Sequence, residues 1–145
     1  HMPGANAFDP AEARAIARLS TTEVFSRLTS GLTSEVGPWI SDHVALAARY
    51  GKRLSAYEGG QHLAGDSSNA ALTSLFVGAN RDARMGTFYD AYLAKWRTLT
   101  GNALFMHFSD SGPYTQFGSW GARETPTQAP ATSPKFSALV RYASP

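Results

Sequence analysis

Residues 54–62, with the sequence LSAYEGGQH, decide how the rest of the chain is interpreted. The mostly apolar start predicts a short buried strand over 54–58, which ends in the carboxylate of Glu58 and breaks into two glycines. A carboxylate where a strand meets a glycine-rich loop is held by rigid backbone and has open space in front of it. Such a position is typical of catalytic or ligand-binding residues. The same residues also suit a structural role, in which Glu58 closes the strand and the glycines form the turn.

A second strand is predicted over residues 103–108, ALFMHF, where both alternating faces are apolar except at His107. This pattern is typical of a central parallel strand that is buried on both faces. A long polar loop and two helices, over 70–80 and 82–99, separate the two strands. A crossover of this kind favours a right-handed parallel βαβ unit. The loops that follow Glu58 and Phe108 then leave the same edge of the sheet, where α/β proteins bind ligands.

Three short helices are predicted before the first strand, over residues 9–19, 20–31 and 34–51. Each begins at a residue that can cap a helix, and the spacing of Ser20 and Glu23 is that of a capping box. The predicted caps are Asp9, Ser20 and Ser34. After the second strand come a long loop and a linker-like stretch, and Ser133 is predicted to cap a final helix with proline at its first position.

Composition narrows the class of protein. The 145 residues, 43% hydrophobic and 17% charged, suit one globular domain with a sizeable core. The net charge of +2 comes from scattered basic residues, so no nucleic-acid partner is expected. No apolar run approaches the roughly 20 residues that span a bilayer, so no membrane partner is expected either. The chain has no cysteine, which fits any compartment.

Residues 1–8 are interpreted as an expression-tag scar, His1-Met2, followed by a loose leader, and residues 9–145 as a single α/β domain. No secretory signal precedes the domain, so we expect a mature form or a piece of a longer protein. Localisation therefore stays open, although secretion would suit a protein that acts on polysaccharide. Two parallel strands alone leave exposed hydrogen-bonding edges, so we expect a homo-oligomer or a larger parent protein to complete the sheet.

Four blocks occur in an order that resembles the last quarter of certain bacterial glycoside-hydrolase-like (β/α)8 barrels. They are YEGGQHL at 57–63, ANRDARMG at 79–86, LFMHF at 104–108 and GSWG at 118–121. The likeness runs from about residue 20 to 142, and these barrels are similar to clan A, the retaining glycosidases. The resemblance implies a partial barrel with two parallel strands, crossover helices and extra N-terminal helices.

The resemblance also implies roles for single residues. Residues 54–58 would be the seventh barrel strand, with Glu58 as the nucleophile, and residues 103–108 would be the eighth. Trp120 would be the aromatic residue that such barrels place beneath a sugar ring. A whole barrel needs about 250 residues, and the fourth strand, which carries the acid/base carboxylate in clan A, is missing here. Asp110 is the one candidate for a second carboxyl group near Glu58, but it does not match the acid/base position of these barrels and it also suits a turn before Ser111-Gly112.

Other interpretations of these residues remain open. A non-catalytic carbohydrate-binding module would stack sugars on aromatic rings and bind their hydroxyl groups through polar side chains. The stacking candidates are Tyr114, Phe117 and Trp120, and the polar candidates are Gln61, His62, His107 and Asp110. A third interpretation is a barrel fragment that serves only in assembly. A metal site built from His and carboxylate side chains lacks ligand spacing, and phosphate-binding and serine-hydrolase motifs are absent. We therefore expect an oligo- or polysaccharide partner and no metal or cofactor.

Overall fold

The computed structural model describes residues 2–144, which form a mixed α/β fold. In this part of the chain the elements follow the order α1 (Pro10–Ile16), α2 (Thr21–Gly31), α3 (Gly37–Arg49), β1 (Ala56–Gly59), α4 (Ala70–Arg81), α5 (Ala83–Thr100), β2 (Phe105–His107) and α6 (Pro134–Ala143). Strands β1 and β2 pair in parallel, with Ala56 opposite Phe105 and Gly59 opposite His107. The predicted parallel βαβ unit is therefore confirmed, with strands shorter than expected.

Local capping chemistry sets the starts of the first two helices. The Asp9 carboxylate accepts hydrogen bonds from the backbone N–H groups of Ala11 and Glu12, each at 2.9 Å. At the start of α2 the Ser20 hydroxyl accepts from the Glu23 N–H, and the Glu23 carboxylate accepts from the Ser20 N–H at 2.7 Å. Both predicted caps are confirmed, because each satisfies N–H groups that a helix leaves unpaired at its first turn.

The predicted break between the second and third helices is wrong. A π-helical turn, Leu32–Val36, joins α2 to α3 without interruption. In this wider turn the Gly37 N–H donates to the carbonyl of Leu32, five residues earlier, which accommodates the ring of Pro38 in the next position. Ser34 does not cap a helix; its hydroxyl donates to the Ser30 carbonyl at 3.1 Å.

The crossover helices follow the sequence pattern closely. The Asn69 side chain caps α4 by accepting from the Leu72 N–H at 3.0 Å. Gly101, in the left-handed region with φ of 65°, ends α5. The final helix, α6, begins where predicted, but the Ser133 side chain makes no capping bond there and donates to the Ala129 carbonyl at 3.0 Å instead.

The core lies between α2, α4, α5 and α6, and the segment before α1 packs into it. Met2 and Ala7 are only 1% and 5% exposed within the main hydrophobic cluster. Met2 of the predicted tag scar and Ala7 of the predicted leader therefore pack into the core, while His1 lies outside the described residues. No helix within residues 2–144 is long and apolar enough to cross a membrane.

The sheet is covered on one face only. Phe105 packs edge-on against Tyr92 and Trp96 of α5, with ring centroids 5.5 and 5.6 Å apart. The opposite face is open, and the exposed fractions there are 62% for Leu104, 46% for Met106 and 47% for Phe108. The prediction of a strand buried on both faces is therefore wrong for this part of the chain. The predicted buried first strand is wrong too, because Tyr57 is 75% exposed and Glu58 is exposed.

Candidate functional site

Glu58 and Trp120 line the same cleft at the carboxyl edge of the sheet. The cleft encloses about 280 Å³, and its other lining residues are Gly59, Gly60, Gln61, His62 and Phe108. Parallel pairing brings them together, because the loops after β1 and β2 leave the sheet on the same side. Glu58 is exposed, and no salt bridge found among residues 2–144 includes it. Its carboxylate can therefore accept hydrogen bonds from a ligand in the cleft.

Trp120 is held in a defined orientation by its neighbours. Its ring stands at 87° to the ring of His62, with centroids 4.8 Å apart. The indole N–H donates to the carbonyl of Phe117 at 3.1 Å, and the Trp120 carbonyl accepts from the Ser109 N–H at 3.1 Å. These contacts fix both the indole and its backbone, so Trp120 is a pre-formed aromatic wall of the cleft.

A glycine allows Trp120 to fold back over its own loop. Gly118 has φ of 127°, a conformation that residues with a side chain rarely adopt. A Cβ atom at this position would also collide with the indole ring of Trp120. The orientation of the ring therefore depends on having glycine two residues earlier.

Next to the cleft a series of hydrogen bonds joins the loop after β1 and strand β2 to α5. The Gln61 N–H donates to the Tyr89 hydroxyl at 3.0 Å, and this hydroxyl lies 3.0 Å from Nε2 of His107. Nδ1 of His107 lies 3.0 Å from the Ser109 carbonyl, which can only accept a hydrogen bond. We therefore assign the proton to Nδ1, so that Nε2 accepts from Tyr89.

These hydrogen bonds indicate that His107 and Gln61 have structural roles. Burial, reinforced by the nearby charge of Lys135, lowers the pKa of His107 to about 4, so its ring is neutral at physiological pH. His107 does not line the cleft. The Gln61 side chain forms its hydrogen bonds within the protein: its amide N–H donates to the Ser119 carbonyl at 2.8 Å, and its oxygen accepts from the Leu63 N–H. Gln61 borders the cleft, while His62 is exposed beside it.

Lys135 supports the loop between β2 and α6, a role that the sequence did not predict. Its ammonium group is fully buried, donates to the Ser119 carbonyl, and lies 4.5 Å from the ring centroid of Tyr114. Burial lowers the pKa of Lys135 to about 7. The available signal was its spacing, since Lys135 lies three residues before the buried Ala138 on the inner face of α6.

Asp110 and Tyr114 lie outside the cleft lining. The Asp110 carboxylate is engaged by the Arg123 guanidinium, with both oxygens within 2.9 Å of Nη2. The Tyr114 hydroxyl donates to the Gly121 carbonyl at 3.1 Å, and burial raises the pKa of this hydroxyl. Both side chains therefore brace the loop between β2 and α6 in this structure.

The cleft thus offers one open carboxylate, one fixed indole, an exposed imidazole and backbone groups of two glycines. No group of three His, Asp or Glu side chains in residues 2–144 is placed to hold a metal ion. The polar groups can bind hydroxyls, and the indole can stack on an apolar ring face. The chain matches no family model, no curated protein and no solved structure in comparisons with known proteins.

Proposed function

We propose that this protein binds carbohydrate in the Glu58–Trp120 cleft. The observation that carries the proposal is that an open carboxylate and a fixed indole border one cavity of about 280 Å³. Sugars present apolar C–H faces and a rim of hydroxyl groups. An indole suits the faces, and a carboxylate that accepts several hydrogen bonds suits the hydroxyls.

Pre-organisation strengthens this proposal. Trp120 needs no ordering when a ligand binds, because His62, the Phe117 carbonyl and the Ser109 N–H already hold it. A side chain that is already fixed avoids a cost of about 0.5–1.5 kcal/mol on binding. Glu58 lies in strand β1 at an irregularity between the paired positions Ala56 and Gly59, so pairing with β2 holds the backbone on both sides of it.

The resemblance to retaining glycosidases extends the proposal to catalysis, with Glu58 as a nucleophile-like carboxylate. Such hydrolysis needs a second carboxyl group about 5–5.5 Å away, which protonates the leaving group. No second carboxyl group lines the cleft among residues 2–144, and Asp110 is paired with Arg123. Binding is therefore the function that the geometry supports best. Hydrolysis would require an acid/base group from outside these residues, as in a completed barrel or a homo-oligomer.

A second candidate function, assembly, is favoured by the open face of the sheet. Leu104, Met106 and Phe108 form an exposed apolar row beside Tyr57. A further layer or a second copy that covers this row would remove apolar surface from water. If copies of the chain associate through this face, light scattering gives a mass above the monomer. The double variant Leu104→Ser, Met106→Ser then reduces that mass to the monomer value, and an unchanged mass contradicts this mode of assembly.

Glycan-array binding and hydrolysis assays test the carbohydrate proposal. We expect the wild type to bind at least one glycan and Trp120→Ala to lose at least about tenfold in affinity, because a buried aromatic contact contributes about 1.5 kcal/mol or more. Tyr50→Ala is the matched control, since it removes an exposed aromatic ring, 73% accessible, outside the cleft. Any turnover should disappear in Glu58→Gln, while glycan affinity falls less than in Trp120→Ala, because the amide oxygen still accepts hydrogen bonds. An array with no bound glycan for a folded wild type would refute the proposal.

A further inference from the structure

The Glu58 cleft is the middle one of three adjoining cavities. On one side it shares Gly60, Gln61 and His62 with a cavity of about 220 Å³. On the other side it shares His62 and Trp120 with a cavity of about 320 Å³. His62 borders all three, so the cavities adjoin one another around the loop following β1, and we call the three together the groove.

The first flanking cavity is an apolar trough with aromatic walls. Trp39 of α3 borders it and is 50% exposed, and Phe88 and Tyr92 of α5 line it as well. Tyr92 is mostly buried, and this burial raises the pKa of its hydroxyl. A flat ring with an apolar face suits this trough better than a charged group does.

The second flanking cavity combines aromatic and polar walls. Phe8 and Phe117, 61% and 70% exposed, border it together with Trp120. Asp66, Ser67 and Gln116 line the same cavity. Exposed rings next to hydrogen-bonding side chains repeat the combination found around Glu58.

Size shows how the groove can be filled. Small-molecule sites commonly enclose about 300–1,000 Å³. The central cleft, at about 280 Å³, falls just short of that range, whereas the three adjoining cavities taken together lie well inside it. A single sugar would leave both aromatic flanks unused, and a chain of sugars would cover them.

Building on the proposed carbohydrate function, we infer that the ligand is a polymeric glycan bound along its interior, with one unit beside Glu58 and neighbouring units on the Trp39 and Phe117 sides. The occupant of both flanks is the same sugar chain, because each flank shares lining residues with the central cleft. Binding should therefore depend on chain length and not on a free chain end.

Calorimetric titration with β-1,4-linked oligomers of glucose, xylose and N-acetylglucosamine, two to six units long, tests this inference. We expect affinity for one series to rise at least tenfold from dimer to hexamer. Hexamers reduced at one end and methylated at the other should bind as tightly as unmodified ones. Trp39→Ala and Phe117→Ala should each weaken hexamer binding about five- to tenfold and change dimer binding less than twofold. Tyr50→Ala is the control, and circular dichroism checks that each variant is folded.

The outcomes separate the two proposals. Affinity that is equal for dimer and hexamer, or lost when the chain ends are blocked, overturns interior binding and leaves carbohydrate binding intact. Unchanged hexamer affinity in both Trp39→Ala and Phe117→Ala, with Trp120→Ala still impaired, also overturns it. If the folded wild type binds no oligomer of any series and no array glycan, both proposals fail. The groove would then be open to a different class of partner, such as an extended peptide.

Discussion

Replacing Lys135 with methionine should make the protein more stable at neutral pH. The Lys135 ammonium group is fully buried among the Tyr114 ring, the Ser119 carbonyl and the more distant charge of Glu124. Burial disfavours its charged form, which lowers the pKa of Lys135 from 10.5 to about 7. Methionine has a similar volume and carries no charge, so it avoids this cost while filling the same space.

The size and sign of the effect follow from proton linkage. Between about pH 7 and 10.5 the unfolded chain keeps the Lys135 proton and the folded chain releases it. The free energy of unfolding of the wild type therefore rises with pH, by up to about 1.4 kcal/mol per pH unit. Across this window the cost of burying Lys135 falls from roughly 4–5 kcal/mol towards zero. Losing the hydrogen bond to Ser119 costs Lys135→Met about 1 kcal/mol at every pH.

The free energy of unfolding of Lys135→Met should therefore be about 3 kcal/mol higher than that of the wild type at pH 7, and slightly lower near pH 10.5. Urea unfolding, followed by tryptophan fluorescence from pH 6 to 10.5, measures the difference between the two proteins, in which the titration of all other groups largely cancels. Lys52→Met, at an exposed position, controls for the loss of one positive charge. Parallel stability curves for wild type and Lys135→Met would refute the reasoning, since they would mean that Lys135 keeps its proton to the same degree in both states.

Three further predictions concern the support of the cleft. Gly118→Ala should lower the free energy of unfolding by at least about 2 kcal/mol, because the backbone has a positive φ and the new methyl group collides with Trp120. Gly78→Ala is the control, because this glycine lies in open space on α4, and it should raise the free energy of unfolding by about 0.5–1 kcal/mol. Urea unfolding measures both changes. Tyr89→Phe should lower the free energy of unfolding by about 2–3 kcal/mol in the same assay, since it removes the hydroxyl that bonds to the Gln61 N–H and to His107. A decrease below about 0.5 kcal/mol would contradict this network. The imidazole of His107 should stay neutral down to about pH 4 in an NMR titration. Because this pKa is lower than in the unfolded chain, stability should fall as the pH drops from about 6.5 to 4, and a midpoint near 6.5 would contradict the burial of the ring.

Local chemistry explains which elements the sequence predicted well. The start of α2 depends on a reciprocal pair of bonds between Ser20 and Glu23, which are three residues apart. The end of α5 depends on the left-handed backbone of Gly101. Interactions over three or four residues are visible in a sequence, because both partners lie in one window.

Errors arose where the outcome depends on distant parts of the chain. The apolar run at 103–108 predicts burial on both faces, yet only the face towards α5 is covered within residues 2–144. A sequence window shows that Leu104 and Met106 are apolar, but not whether anything packs on them. The merged α2 and α3 are an error of a different kind, because there a local π-helical turn at Leu32–Val36 replaces the expected break and accommodates Pro38.

The same distinction between local and long-range interactions applies to the candidate site. Parallel strands imply that the loops after Glu58 and Phe108 meet, and the structure places Glu58 and Trp120 on one cleft. The partners of the buried side chains could not be inferred this way. Gln61 reaches the Ser119 carbonyl across 58 positions of sequence, and Lys135 reaches the same carbonyl from α6. Gln61, which the sequence suggested as a ligand contact, therefore uses its amide to hold the loop between β2 and α6.

Phe108 connects the two open features of the molecule. It lines the Glu58 cleft, and it ends the exposed apolar row of β2 with 47% of its surface accessible. Any layer that covers Leu104 and Met106 therefore reaches the wall of the cleft as well. Glu58 lacks a second carboxyl group among the residues of this cleft, and a covering layer is the part of an assembly that can bring one within the distance that retaining hydrolysis requires. In the proposed function, assembly and catalysis are therefore coupled, because a layer over the open sheet face also borders the cleft that holds Glu58.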